Sequence, residues 1–311
     1  MHAEKTDFVF RFSDAVGRPC QKGVFLKNYS NFKVGGIADY FFDARTEKEL
    51  VSVVHFAKTS SLPYYIIGGG FNILFSDEGF RGLIIHNSVK GLKKAEKKVI
   101  QVKSGTPLKE LVGFCLHKGV GGLEFLAGIP GTVGGAVCGN AGAFGCDIGS
   151  LLINARILAE SGKILRVEKN YFGFEYRWSR LKINKDVLLD VKLQGKSRAQ
   201  EEIKKSINEG LQKRKRKHPP YGTACAGSYF KNPVLPSGEK VAAAALLDQV
   251  DAKEKKAGDA AVYSGHANFI INQGNAASQD IRLLAGELKR KVYKKFGIKL
   301  EEEVIFLPAE P

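Results

Sequence analysis

Gly121-Gly-Leu-Glu-Phe-Leu-Ala-Gly-Ile-Pro-Gly-Thr-Val-Gly-Gly-Ala-Val-Cys-Gly-Asn-Ala-Gly-Ala-Phe-Gly145 holds nine glycines in 25 residues and almost no charge. Glycine permits positive φ and lets a ligand or another backbone come close, but inside a helix or strand it costs about 0.5–1 kcal/mol relative to alanine. So dense a run argues against an ordinary helix. It argues for backbone N–H groups that wrap a guest, of which phosphate is the commonest. The competing reading is a flexible or tightly turned loop.

A second glycine loop weighs against that competitor. Pro63-Tyr-Tyr-Ile-Ile-Gly-Gly-Gly-Phe-Asn-Ile-Leu-Phe-Ser-Asp-Glu-Gly-Phe-Arg-Gly-Leu-Ile-Ile85 reads as strand, glycine turn, connector and strand, with strands at Tyr64–Ile67 and Leu83–Ile85. Gly68–Gly70 follows the first strand, where a pyrophosphate-binding turn would stand. It is not the Rossmann fingerprint, which needs Gly-x-Gly-x-x-Gly opening a helix. Asn72 and Asp77 follow instead, with no amphipathic pattern. The pair of loops therefore suggests a dinucleotide held by another architecture.

Global properties narrow the class. A chain of 311 residues has room for two or three domains, and 44% hydrophobic with 26% charged residues is ordinary for a globular protein. No apolar run approaches the ~18–20 residues of a membrane span, and Met1-His-Ala-Glu-Lys-Thr-Asp-Phe-Val-Phe-Arg11 lacks the apolar core of a secretory signal. Five cysteines (Cys20, Cys115, Cys138, Cys146, Cys225) with no Cys-x-x-Cys pair read as reduced thiols in a cytoplasmic protein, with no metal site. The net charge of +16 suits anionic ligands. Lys213-Arg-Lys-Arg-Lys217 could mark nucleic acid, but Ile203, Ile207 and Leu211 lead into it at helical spacing. It reads as the solvated end of an amphipathic helix, where cations complement the dipole. No nucleic-acid module accompanies it.

Further elements are legible. Helices are expected at Thr46–Thr59, with Leu50, Val53, Val54 and Ala57 on one side, and at Leu108–His117, ended by Gly119. Strands are expected at Val99–Val102, Leu151–Leu158, Ile164–Val167 and Val187–Leu193. A last lobe begins near residue 201, with helices at about Ala242–Gln249 and Ser278–Lys294 and a strand at Phe269–Ile271.

Several of these segments resemble one family. Asn28-Tyr-Ser-Asn-Phe-Lys-Val-Gly-Gly-Ile-Ala-Asp-Tyr40, Gly68-Gly-Gly-Phe-Asn72, Leu126-Ala-Gly-Ile-Pro-Gly-Thr-Val-Gly-Gly-Ala136 and Asn140-Ala-Gly-Ala-Phe-Gly145 are similar to motifs of the UDP-N-acetylenolpyruvoylglucosamine reductase (MurB) family. Tyr176-Arg-Trp-Ser179, Ala226-Gly-Ser-Tyr-Phe-Lys-Asn-Pro233, His266-Ala-Asn-Phe-Ile-Ile-Asn272 and Leu300-Glu-Glu-Glu-Val304 follow in family order. The resemblance implies an α+β fold: a two-lobed FAD-binding domain of the vanillyl-alcohol-oxidase (PCMH) type over residues 1–200, its lobes split near 95–105. A C-terminal α+β substrate-binding domain would occupy 201–311, its last strand reaching the active site.

The implied reaction reduces UDP-N-acetylglucosamine enolpyruvate to UDP-N-acetylmuramate for peptidoglycan synthesis. NADPH is the co-substrate, and FAD is bound non-covalently. No nucleic acid, membrane or obligate protein partner is implied. Arg177 would polarise the substrate carboxylate, as a bidentate guanidinium suits. Ser228 would donate the proton, and Glu303 would stabilise the intermediate. Glu301 and Glu302 are adjacent, and only the family spacing selects Glu303. FAD contacts are implied for Gly68, Gly69, Gly70, Phe71, Asn72, Ile73, Pro130, Gly131, Gly134, Gly135, Asn140, Gly142 and Ala143. Substrate contacts are implied for Tyr176, Arg214, Lys217, Lys231 and Asn232. His266 reads as structural.

The chain departs from the pattern at Phe71, where serine is usual, at Ala224-Cys225, where Pro-Ser is common, and at Pro219, near a usual glutamine. The short segment between Arg177 and the basic helix lacks the insertion of one branch, so the chain resembles the shorter, type II branch. Two other readings are a different FAD oxidoreductase of the same fold and a non-catalytic nucleotide-sugar-binding protein.

Overall fold

Thr46 opens the helix Glu47–Thr59 through a reciprocal cap: its hydroxyl accepts from the Glu49 N–H, and the Glu49 carboxylate accepts from the Thr46 N–H. Leu50, Val53, Val54 and Ala57 on one face of that helix are fully buried. The computed structural model, which describes residues 2–308, resolves the chain into two compact units. Unit 1 comprises residues 1–22, 40–69 and 82–213; unit 2 comprises 23–39, 70–81 and 214–311.

Unit 1 has two cores. One gathers Phe12 and Val16 of the helix His2–Val16, the buried face of Glu47–Thr59, and Leu83 and Ile85. These last lie in a sheet ordered Gln21–Phe25, Ile37–Ala44, Phe80–Asn87, Tyr64–Ile67, whose final pair is parallel, with Tyr64 opposite Leu83. The other core lies against an antiparallel sheet ordered Ile164–Glu168, Leu152–Leu158, Val187–Gln194, Val99–Lys103, Leu92–Glu96. The helix Leu108–His117 buries Leu108, Leu111, Val112 and Cys115 against it. The nearly buried Asp190 carboxylate on that sheet is met by Arg156 at 2.9 Å and Lys103 at 3.2 Å, both of which also bind Glu47. Burial pushes the Glu47 carboxyl up, but the hydrogen bonds from Arg156 and Lys103 outweigh this and hold it below its ordinary value.

Unit 2 packs the helices Ala243–Asp248 and Ser278–Phe296 on the antiparallel strands Lys256–Ala257, Ala260–Val262 and Ile270–Asn272. Ile281, Leu284, Ala285, Leu288 and Val292 form the buried stripe of the long helix, and Gly297 ends it at φ +69°. Its first turn is capped by Asp77, whose Oδ2 accepts from the Ser278 N–H at 2.6 Å and hydroxyl at 2.7 Å. Ile305–Leu307 runs parallel to Ile73–Phe75.

The expected elements are all present, with ends shifted by up to three residues, as in Phe80–Asn87 for the strand expected at Leu83–Ile85. Three features differ. The glycine run contains a helix, Val133–Cys138, against expectation. The Thr132 hydroxyl accepts from the Gly135 N–H, and Val133, Ala136 and Val137 are buried, so capping and packing override the glycine penalty. The helix His2–Val16 had no counterpart in the sequence reading. In the basic helix, Gln200–Lys217, Ile203 is buried but Leu211 is 42% exposed, so the apolar stripe does not reach the basic end.

Candidate active site

Within unit 2, Gly70 begins the turn at φ +68°. Tyr29 O lies where a Gly70 Cβ would stand, so no other residue fits. Among the described residues, the backbone N–H groups of Gly70, Phe71 and Asn72 donate to no protein acceptor. Consecutive N–H groups in a glycine turn form the concave donor set that suits phosphate oxygens. Here the residues present fit the FAD pyrophosphate. Asn72 also has a second role: its Nδ2 donates to Glu303 O at 3.0 Å, and its carbonyl accepts from the Ile305 N–H at 3.0 Å. Ile73 is buried at the head of the strand that follows.

The Glu303 backbone is held from its other side as well, because its N–H donates to Tyr229 O at 2.8 Å. Lys231 N–H donates to Glu301 O at 2.8 Å, and Phe230 bridges Glu302 in antiparallel register. Ser228 and Glu303 therefore stand on adjacent extended segments. Ser228 is half-buried and follows Gly227, whose φ is +77°. Of the three consecutive glutamates, Glu301 pairs with Lys231 Nζ at 3.0 Å and Glu302 with Lys289 Nζ at 3.1 Å. The neighbours of Glu303 are thus engaged in ion pairs of their own. Asn232 Oδ1 accepts from the Ala243 N–H at 3.0 Å, so its side chain is tied to a helix start. Arg214 is half-buried and Lys217 exposed on the last turns of the basic helix.

Within unit 1, Gly68 abuts the Thr132 side chain, which brings the two glycine loops together there. Part of the long glycine run serves chain packing rather than a ligand. Val133 N–H donates to Thr106 O at 2.9 Å and Gly134 N–H to Ser104 O at 2.7 Å, and a Cβ on Gly134 would stand 3.1 Å from that same oxygen. Gly131, at φ +118° with no atom within 4 Å of a Cβ position, borders open space; Gly135, four residues on, is exposed, with Thr132 Oγ1 3.7 Å from its Cβ position. Pro130 and Gly69 are exposed, and Gly142 and Ala143 form one side of a hairpin with Cys146–Asp147.

Arg177 sits at the tip of a tight turn in which Glu175 and Trp178 exchange both backbone hydrogen bonds at 3.2 Å. Its φ is +56°, an uncommon conformation for a long side chain that marks a constrained position. Its guanidinium lies 5.4 Å from the ring centroid of Tyr176, which is 37% exposed. Buried polar groups fix this turn. Asn140, 5% exposed, donates from Nδ2 to Glu175 O at 2.8 Å and accepts from the Gly149 N–H at 3.0 Å. Ser179, fully buried, donates to Cys138 O at 2.8 Å. Sequence reasoning missed these supporting roles, although both residues stand inside the quoted motifs.

A serine, a histidine and an aspartate also meet at Asp43, His86 and Ser88, in unit 1. Asp43 Oδ1 lies 2.9 Å and Ser88 Oγ 3.1 Å from the same ring nitrogen, His86 Nδ1. A nucleophilic relay needs the serine and the aspartate on opposite ring nitrogens. Asp43 also accepts from Arg45 at 2.9 Å, and the cluster is structural.

In unit 2, His266 Nδ1 accepts from the Asn268 N–H at 3.2 Å, and the His218 ring lies edge-on 6.0 Å away. Burial first, then Arg214, His266 and Lys217, lower the His218 pKa to about 4. Burial also lowers that of His266, against the opposing pull of Asp248. Both rings are therefore neutral in the native state and take up protons more readily when unfolded. Stability is expected to be flat above the unfolded value of about 6.5 and to fall as pH drops from there toward 4. Urea midpoints at pH 7, 6 and 5 check this; His218→Asn should flatten the slope, and an unchanged slope would contradict the assignment.

With this geometry in place, comparison with known proteins is informative. The profile of an FAD binding domain matches residues 38–168, and that of the UDP-N-acetylenolpyruvoylglucosamine reductase C-terminal domain matches 219–307. A UDP-N-acetylenolpyruvoylglucosamine reductase of Protochlamydia amoebophila is 37% identical over 288 residues, 93% of this chain and 94% of the relative. The chain belongs to the UDP-N-acetylenolpyruvoylglucosamine reductase family. A Caldicellulosiruptor saccharolyticus reductase of that name is 35% identical over 91% of this chain and 90% of its own. The crystal structure of the Thermus caldophilus family member superposes with a TM-score of 0.77 at 31% identity, over 93% of this chain and 100% of that one. The α+β fold, with an FAD-binding domain and a family-specific C-terminal domain, is the one the motifs implied.

Proposed function

We propose that this chain reduces the enolpyruvyl ether of UDP-N-acetylglucosamine to UDP-N-acetylmuramate with NADPH, through a non-covalently bound FAD. The observation that carries the reading is the pairing of the Ser228 and Glu303 segments, with Asn72 of the glycine turn bonded to Glu303. A proton donor, a carboxyl group and the phosphate-type donor set thereby converge in one unit. FAD, held by the residues assigned to it below, would supply the hydride chemistry that links NADPH to the terminal carbon of the enolpyruvyl group.

The residues of the chain manage the charge and the proton. As the double bond takes up the hydride, negative charge grows on the adjacent carbon and the carboxylate. Arg177 is assigned to that carboxylate, where a guanidinium fork makes two parallel hydrogen bonds. Ser228 gives its hydroxyl proton to the adjacent carbon and regains one from solvent. Glu303 stabilises the enolate-like species through a shared proton. The Gly70–Asn72 amides, with Gly68, Gly69, Ile73, Pro130, Gly131, Gly134, Gly135, Asn140, Gly142 and Ala143, are assigned to the cofactor. For Gly134 and Asn140 the contact falls to other atoms than those already bonded within the protein. Tyr176, Arg214, Lys217, Lys231 and Asn232 are assigned to the substrate. The reaction belongs in the cytoplasm, where NADPH is supplied. Among the described residues, no helix is long and apolar enough to cross a membrane.

None of the six histidines lies in either glycine loop, which supports a non-covalent flavin. One FAD per chain is expected, released as free FAD by acid or heat; flavin retained on denatured protein would refute the non-covalent assignment. The reaction itself is tested by NADPH oxidation with and without UDP-N-acetylglucosamine enolpyruvate. Oxidation should depend on that substrate and yield the lactyl ether.

A further inference from the structure

We infer that Asn268 is a positioning residue for proton transfer by Ser228, an inference that rests on the functional reading above. Asn268 is 3% exposed, and both ends of its side-chain amide are used in hydrogen bonds. Its side chain acts as a short piece of strand. Its Oδ1 accepts from the Phe230 N–H at 2.9 Å and its Nδ2 donates to Phe230 O at 2.8 Å. Its own carbonyl accepts from the Tyr229 N–H at 2.8 Å. Phe230 thus meets Asn268, while Tyr229 O and Lys231 N–H meet Glu303 and Glu301 on the other side.

The segment that follows Ser228 is therefore fixed along both edges, and one of the two edges is a single residue, Asn268, through its side chain and its carbonyl. The residue before Ser228 is Gly227, at φ +77° and with no atom within 4 Å of a Cβ position. Nothing in that glycine restrains the hydroxyl. Upstream of Gly227, Cys225 bridges Ile271 and its carbonyl accepts from Asn31 Nδ2 at 2.5 Å; on the C-terminal side, Ser228 is held by the Tyr229–Phe230 backbone that Asn268 grips. His266 completes the arrangement, because its Nδ1 accepts from the Asn268 N–H and fixes where the amide starts. Proton transfer to carbon tolerates little misplacement; about 1 Å can cost about 10²-fold.

The test uses Asn268→Asp in the FAD-loaded protein. An aspartate keeps the shape and the acceptor; as a carboxylate it cannot donate to Phe230 O but as the neutral acid it can, so the defect should grow as pH rises. Stopped-flow absorbance should show flavin reduction by NADPH within about 2-fold of wild type, and substrate affinity within about 3-fold. Reoxidation by UDP-N-acetylglucosamine enolpyruvate should slow by about 10–100-fold. In a Ser228→Ala background the same substitution should cost less than about 3-fold, which distinguishes action through Ser228 from general loosening. Equal slowing of both half-reactions, or an undiminished effect in the Ser228→Ala background, would overturn the inference. Should Asn268→Asp not fold, amide exchange in the wild type decides: slow exchange at Tyr229 and Phe230 is expected, and fast exchange at Phe230 would refute the clamp. A wild-type protein that the enolpyruvyl substrate never reoxidises would instead refute the functional reading.

Discussion

In Ser228→Ala, NADPH should bleach the flavin at near the wild-type rate, while reoxidation by UDP-N-acetylglucosamine enolpyruvate slows about 10²–10⁴-fold, the usual contribution of a positioned general acid. The separation follows from the chemistry, since only the second half-reaction protonates carbon. The fold should survive, because the neighbouring segment is held through the backbone of Tyr229, Phe230 and Lys231 rather than through the Ser228 hydroxyl. Substrate affinity should change little, because the lost oxygen acts mainly in the transition state. Anaerobic stopped-flow absorbance follows both steps. If the variant reoxidises as fast as wild type, Ser228 is a turn residue and the proton comes from elsewhere, with Glu303 the next candidate.

Gly70→Ala should destabilise unit 2 by about 3–5 kcal/mol, the sum of left-handed strain and forced overpacking. The new Cβ would overlap Tyr29 O and stand 2.9 Å from the Tyr29 carbonyl carbon, and both atoms belong to backbone that cannot rotate away. Gly70 O also anchors the Asn31 N–H at 3.0 Å, so the two segments cannot simply part. Because the Gly70–Asn72 amides form the donor set, FAD retention should fall with stability. Gly131→Ala is the comparison: its Cβ would meet nothing within 4 Å, although φ is +118°. Its cost should be the strain alone, about 1–3 kcal/mol. Urea unfolding of both variants measures the difference, and a Gly70→Ala protein within about 1 kcal/mol of wild type would contradict it.

What could be read from the sequence was local. Leu50, Val53, Val54 and Ala57 stand at helical spacing, and the helix Glu47–Thr59 forms where that stripe lies. The Tyr64–Ile67 strand carries its own β-branched and aromatic bulk. The helix Val133–Cys138 was not legible, because its glycines oppose it and only Thr132 and a buried core face support it. The helix His2–Val16 was hidden for a related reason. Phe8-Val-Phe-Arg-Phe12 is a short aromatic and β-branched run, and only burial of Phe12 and Val16 with Phe10 left 73% exposed reveals the helical face.

The site divides in the same way. Ser228, Glu303 and Arg177 are proposed from motifs whose residues lie close in sequence. Their supports were not legible there, because each joins distant positions: Asn268 to Phe230, Asn72 to Glu303, Asn140 to Glu175. No periodicity encodes a side-chain amide bonding a backbone 38 residues away. A family motif marks such an asparagine without saying what it holds. Asn72 and Asn140 were accordingly expected only as cofactor ligands, with no sign that their side-chain Nδ2 groups also bond Glu303 O and Glu175 O.

The most direct measurement is a single turnover. Protein reduced with one equivalent of NADPH under anaerobic conditions is mixed with UDP-N-acetylglucosamine enolpyruvate, and flavin absorbance and the product mass are recorded together. The expected result is full return of the oxidised flavin spectrum and one product molecule per flavin, two hydrogens heavier than the substrate. Flavin that stays reduced while the enolpyruvyl ether is recovered unchanged would contradict the account.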